Sequence, residues 1–237
     1  MHRFFLPNLQ QPLLGAEEAH HALNVLRLKA GDTVNVFDGR GHEAQATISQ
    51  ISNQSAQLKV LTQSSTAPLP CRITLAQAIP KKSMDLIVQK ATELGVAVIV
   101  PLVSDRTLVH LDEDSKKIER WREIALESCK QCGNNWLPEI QPPRKPHDFL
   151  GALPPYDLKL IASLQPDAKP LKKILGESAK PSSILILIGP EGDFTPAELG
   201  LAKSAGCLPL SLGPLVLRAE TAAIYTLSIL HHELQNR

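Results

Sequence analysis

The chain has 237 residues, 43% hydrophobic and 21% charged, which is enough apolar mass for one or two globular domains with a sizeable core. Its 25 basic and 24 acidic residues nearly cancel, so net charge selects no partner, although a local basic patch can still bind RNA. No apolar run approaches the ~20 residues that span a bilayer, Met1-His-Arg-Phe-Phe-Leu-Pro7 lacks the apolar region of a signal peptide, and four cysteines without framework spacing point to the cytoplasm.

The first stretch reads as a small β-barrel domain over residues 1–68. A short helix is expected from Glu17 to Leu26. Strands are expected at Thr33-Val-Asn-Val-Phe37, Glu43-Ala-Gln-Ala-Thr-Ile48 and Ala56-Gln-Leu-Lys-Val-Leu61, with turns at Asp38-Gly-Arg-Gly41 and Asn53-Gln-Ser55. Ser64 to Pro70 reads as a linker. From residue 71 to 237 strands alternate with helices, which predicts an α/β domain on a mostly parallel sheet. Strands are expected at Ile73 to Ile79, at Val96 to Val100 with Pro101 ending it, and at Leu158 to Leu164, Ile184 to Ile188 and Leu208 to Leu212. Ser83 caps a helix to Leu94, and Ser115 one to about Cys132, with Ile118, Trp121, Ala125 and Cys129 on one face. Thr195-Pro-Ala-Glu198 is a capping box with proline at the first helical position. A last helix runs from Ala219 to about Leu234. The proline-rich stretch 138–155 reads as a long connection.

Two segments carry the chemistry. Ile184-Leu-Ile-Leu-Ile188 is apolar enough to be buried on both faces, so the following Gly189-Pro-Glu-Gly192 turn falls at the sheet edge, where open α/β sheets bind ligands. Glu191 adds a carboxylate there, and the next helix points its positive end at the turn. The turn is neither a dinucleotide fingerprint nor a phosphate loop, and taken alone it is as readily an ordinary strand–turn–helix connection. In Leu217-Arg-Ala-Glu-Thr-Ala222, Glu220 suits a helix start, whereas Arg218 has no local reason for its position. A guanidinium beside a pocket pairs with a carboxylate or phosphate, and an Arg–Glu surface pair is the plainer alternative.

Taken together, these segments resemble the SPOUT class of RNA methyltransferases, and within it the family that methylates N3 of a uridine in 16S ribosomal RNA. The resemblance runs the length of the chain. It includes Arg3-Phe4 and the stretch from His20 to Val25-Leu-Arg27. It continues through Lys81, Gln89-Lys-Ala-Thr-Glu-Leu-Gly95 and Pro101 to Arg106. Glu119-Arg-Trp-Arg-Glu-Ile124, Glu127 to Gln131 and Leu137-Pro-Glu-Ile140 precede the two segments above. The resemblance implies a PUA-like RNA-binding barrel over 1–68 and a trefoil-knotted SPOUT domain over 71–237, an exception to the rule against threaded chains. It implies S-adenosylmethionine held by Leu164, Ile188, Gly189, Pro190, Glu191, Gly192, Ser211, Leu212 and Gly213, and closed by Leu217 and Arg218. It implies a homodimer, with Ala222, Ala223, Leu227 and Leu230 of the last helix as the packing face, or as an intramolecular core face. No metal, membrane or DNA is called for.

Transfer to N3 needs an unpaired, flipped base and removal of the N3 proton. Arg218 is expected to orient the base or a phosphate, and Glu191 or Glu220 to take the proton. Arg3, Arg27, Lys81, Lys82 and Arg106, with Arg120 and Arg122, are the expected RNA contacts; as a set they are equally an ordinary solvated surface, and for any single one that is the plainer reading. Three positions depart from the family pattern: Asp193 follows GPEG where glycine is usual, Ala219 replaces a threonine, and Asn134-Asn135 stand where an arginine is usual. Ribose 2′-O-methylation and a non-catalytic RNA-binding or assembly role remain as alternatives. Cys129-Lys-Gln-Cys132 lacks the further ligands of a zinc site and reads as core packing.

Overall fold

Alternation of apolar and polar residues builds the first sheet, because successive side chains of a strand point to opposite faces. In the computed structural model, which describes residues 1–52, 55–107, 114–177 and 179–235, Val34 and Val36, Ala44, Ala46 and Ile48, and Ala56 and Leu58 all point into one core with Phe4, Leu6 and Leu14. The strands are β1 (Arg3–Phe5), β2 (Leu13–Leu14), β3 (Thr33–Phe37), β4 (His42–Ile51) and β5 (Ala56–Ser65), in the order β1-β3-β4-β5-β2. Only β1–β3 is parallel. β4 and β5 are longer than their alternation suggests, because two register shifts let the pairing continue past the broken pattern. The Asn53-Gln54 part of the expected turn lies outside the described residues. The expected helix is divided: α1 (Ala16–His20) passes into a π-helical turn at His21–Val25.

This unit, Met1–Pro68, also takes in Leu126–Leu137 from much later in the chain. The Arg3 guanidinium lies 4.2 Å from the centre of the Phe37 ring. It donates to the Cys129 carbonyl at 3.3 Å and to the Asn135 side-chain oxygen. The Asn135 amide in turn donates to the Thr66 hydroxyl at 2.9 Å. Arg3 is therefore turned inward, and Asn135 has an internal partner. The Trp136 indole donates to the Thr66 carbonyl at 2.9 Å and lies against Gly41.

The second unit, Leu69–Ala125 with Pro138–Arg237, holds seven parallel strands. In chain order these are β6 (Arg72–Ala78), β7 (Val98–Leu102), β8 (Glu139–Ile140), β9 (Leu158–Ala162), β10 (Lys169–Pro170), β11 (Ser183–Ile188) and β12 (Leu208–Ser211). Their spatial order is β10-β12-β9-β11-β6-β7-β8. The helices are α2 (Met84–Glu93), α3 (Asp114–Cys132, which runs into the first unit), α4 (Pro146–Leu150), α5 (Leu171–Gly176), α6 (Pro196–Ser204) and α7 (Ala219–Leu234). One sheet face presents Leu185, Leu187, Ala76, Val98 and Val100 to Phe149 of α4 and Leu199 and Ala202 of α6. Ile184, Ile186 and Ile188 point the other way and are buried as well; α7 packs on β11 and on α2.

Several expectations change. β7 runs through Pro101 rather than stopping there. The Pro101 carbonyl accepts from the Arg144 amide, so its missing N–H faces the same flank, beyond the point where β8 has ended. The 138–155 stretch contains β8 and α4, whose Phe149 and Leu150 join the core. Ile118, Trp121, Ala125 and Cys129 share the buried face of α3, and burial pushes the Cys129 thiol up to about 12. Cys132, the last residue of that helix, is exposed instead of facing the core. α3 begins at Asp114, so Ser115, expected as its cap, is inside the helix instead of preceding it. Ala222, Ala223, Leu227 and Leu230 of α7 are all buried within this one chain, so that face is internal and unavailable to a second copy.

Gly41 has φ +94°, and a Cβ there would fall 2.5 Å from the Trp136 ring and 2.9 Å from the Thr66 carbonyl oxygen. Gly41→Ala is expected to lower unfolding free energy by roughly 1–3 kcal/mol in urea titration. A loss below about 0.5 kcal/mol would contradict the packing described.

Candidate active site

β11 is hydrogen-bonded on both sides, by β9 and β6, and is apolar on both faces. Its carboxyl end delivers Gly189 to the sheet edge with little freedom. The Asp193 amide donates to the Pro190 carbonyl at 3.0 Å, closing a turn whose third residue, Gly192, has φ +94°. A type II turn requires a positive φ there. Thr195 then caps α6: its hydroxyl accepts from the Glu198 amide, while the Glu198 carboxylate accepts from the Thr195 amide at 2.8 Å.

Neighbouring loops hold this turn from both sides. After β6, the Lys81 amide donates to the Glu191 carboxylate at 3.1 and 3.3 Å. After β7, Arg106 donates through its guanidinium to the Gly192 carbonyl, with the Asp193 carbonyl at 3.5 Å. The Asp105 amide donates to the buried Glu198 carboxylate at 2.9 Å. Ser83 occupies the cap position of α2 but makes no side-chain cap; its hydroxyl donates to Glu220 at 2.8 Å. The expected cap is replaced because the Glu220 carboxylate, at the start of α7, is a stronger acceptor within reach.

These loops border a cavity of about 410 Å³, within the usual range of small-molecule sites. The ends of β9 (Ala162, Ser163, Leu164) and β11 (Ile188 to Asp193), the loop after β12 (Leu212, Gly213, and Leu215 to Arg218) and the start of α7 (Ala219, Ala222) form its walls. Every residue expected to contact a cofactor lies on these walls except Ser211, whose hydroxyl instead accepts from the Gly213 amide at 3.4 Å. Arg218 and Glu191 share the cavity, whereas Glu220 is off its walls, beside Ser83. Ala162, Ser163, Leu215 and Val216 line it without having been singled out. A rule that every strand end beside β11 contributes would have found the first two.

The other expected cations differ in what they already touch. Arg27, Lys81 and Lys82 are exposed, and their side chains have no ionic partner among the described residues. Arg120 is paired with Asp85 at 2.6 Å and Arg122 with Glu119 at 2.5 Å.

Glu198 accepts three hydrogen bonds in a buried position, and its removal orphans the Asp105 and Thr195 amides together. Glu198→Ala is expected to cost roughly 2–3 kcal/mol of stability in chemical denaturation. A cost comparable to that of an exposed carboxylate would contradict this role.

Residues 67–231 match the family model of the RNA methyltransferase domain, and residues 14–61 that of the RNA methyltransferase PUA domain. The chain is 30% identical to ribosomal RNA small subunit methyltransferase E of Bacillus subtilis, over 99% of this chain and 98% of that protein. It is similar to the crystal structure of a ribosomal RNA small subunit methyltransferase E from Neisseria gonorrhoeae bound to S-adenosyl methionine, with TM-score 0.88, 33% identity, and 98% and 97% of the two chains covered. A methyltransferase from Legionella pneumophila in complex with its bound cofactor SAM gives TM-score 0.88, 35% identity and coverages of 97% and 96%. The chain belongs to the ribosomal RNA small subunit methyltransferase E family, whose members are rRNA methyltransferases.

Proposed function

We propose that this chain uses S-adenosylmethionine, bound in the cavity, to methylate N3 of a uridine in 16S ribosomal RNA of the small subunit, in the cytoplasm. One observation carries this reading: the loops after β11 and β12 enclose a single cavity that has Glu191 and Arg218 on its walls. The cavity suits that group by size, by its apolar leucine, isoleucine and alanine lining, and by carboxylates available to a cation. When bound, the cofactor supplies an electrophilic methyl on a sulfonium. Arg218, which has no ionic partner among the described residues, orients the uracil or a flanking phosphate. Glu191, held by the Lys81 amide beside the same cavity, takes the N3 proton. Glu220 is the alternative acceptor, with one oxygen already bound to Ser83. Alignment and proton removal are the protein's share of the chemistry.

In the same reading, residues 1–68 are a PUA-like barrel that binds RNA through Arg27, and residues 71–237 are a trefoil-knotted SPOUT domain that meets RNA with Lys81, Lys82 and Arg106. Support for the knot is that loops from non-consecutive neighbouring strands converge on one cavity. The enzyme works as a homodimer. Leu215, Val216 and Leu164 are 73%, 78% and 60% exposed, an apolar cavity rim that a second copy would cover.

Incubating the protein with small-subunit rRNA and S-adenosylmethionine is expected to yield 3-methyluridine by nucleoside mass spectrometry. A 2′-O-methylated product, or none, would refute the assignment. Arg218→Ala is expected to lower kcat/KM by roughly 10²-fold, with far smaller loss of cofactor affinity. Light scattering is expected to give a dimer that Leu215→Asp with Val216→Asp converts to monomer; a monomeric wild type would remove the dimer reading.

A further inference from the structure

Asp193 is in the left-handed region at φ +65°, where side-chain-bearing residues are uncommon and Asp and Asn are the better-tolerated ones. Non-glycine residues in such conformations concentrate at ligand-binding positions, and Asp193 lies on the cavity wall. Its carboxylate is fixed in place. The turn holds its amide on the Pro190 carbonyl, and one carboxylate oxygen accepts from the Phe194 amide at 2.8 Å. That oxygen would lie 3.0 Å from a Cβ built at Gly189, tighter than side chains ordinarily pack, so the glycine leaves room for it. No described cation pairs with the Asp193 carboxylate. The neighbouring Arg106 reaches main-chain carbonyls, one of them that of Asp193 itself. Arg218 and Glu191, the other charged groups on the wall, carry opposite signs.

The charge is surplus to the local architecture, because an asparagine would tolerate the same φ and accept the same hydrogen bond. We infer that Asp193 makes the cavity discriminate by charge, favouring the cationic methyl donor over its neutral thioether product. This rests on the cofactor reading above. Methyl transfer breaks the sulfonium–methyl bond, forms the N3–methyl bond and releases the N3 proton to a carboxylate. The sulfur keeps the bonding pair and loses its positive charge. S-adenosylhomocysteine therefore has one positive charge fewer than S-adenosylmethionine, and an unpaired carboxylate on the wall holds it less well. Product then leaves more readily than donor.

The test is calorimetric titration of the full-length protein with S-adenosylmethionine and with S-adenosylhomocysteine, at low and high salt. Asp193→Asn keeps the local hydrogen bond and removes only the charge. It is expected to weaken donor binding roughly three- to tenfold while leaving product binding within about twofold. The wild-type preference is expected to shrink as salt rises. Asp193→Gly, which also relieves the backbone, is expected to lose the same preference, and it serves if the Asn variant melts early. An unchanged ratio of the two dissociation constants in both variants would overturn the inference alone. Failure of the wild type to bind either ligand would overturn the cofactor reading, and this inference with it.

Discussion

The constraint on which the rest depends is burial of β11 on every side. Six residues, Ser183–Ile188, have hydrogen-bonded strands on both edges and packed helices on both faces. A strand in that position must be apolar along its length, because any unpaired polar side chain there would cost the full price of desolvation. The polypeptide can recover polar character only where the strand ends. Backbone turn, carboxylate and helix start therefore crowd together at residues 189–195. Sheet order then distributes the roles: β9 and β12 on one flank supply the cavity walls, while β6 and β7 on the other supply the loops that restrain the turn.

The walls of the site differ in character along their length. At Ser163 and Ile188 they are buried strand ends, where apolar burial contributes about 25 cal/mol per Å² and packing resists displacement. The turn after β11 is tied by the Lys81 amide and the Arg106 guanidinium, and the start of α7 by the Ser83 hydroxyl, in exposed or partly buried settings where a hydrogen bond contributes about 1 kcal/mol. Such ties can yield one at a time without disturbing the sheet.

How much of this was legible in the sequence depends on whether the signal was local. The Ile184-to-Ile188 run, the Thr195–Glu198 capping box and the last helix were readable because period, cap and composition act within a few residues. β1, β2, β8 and β10 are two or three residues long, too short for any period, and exist because a distant strand presents free backbone groups. Ser83 carried a correct local cap signal that Glu220, 137 residues away, overrode. The cavity contributions of Ala162 and Ser163 were hidden because small residues at a strand end form no motif; only the sheet order brings them beside Gly189. Arg3 looked like a surface cation, and its inward orientation depends on Phe37 and Asn135, which no short window contains.

The late segment Leu126–Leu137 has a consequence for how the molecule is made. During synthesis the first 68 residues leave the ribosome well before the partners that Arg3, Thr66 and Gly41 require. At ~5–20 residues per second the missing piece follows several seconds later. Through that interval the N-terminal sheet lacks its closing strap, and the Gly41 turn has no Trp136 ring to pack against. Its completion waits on residues 126–137, so the N-terminal unit is whole only once the second half of the chain has begun to appear.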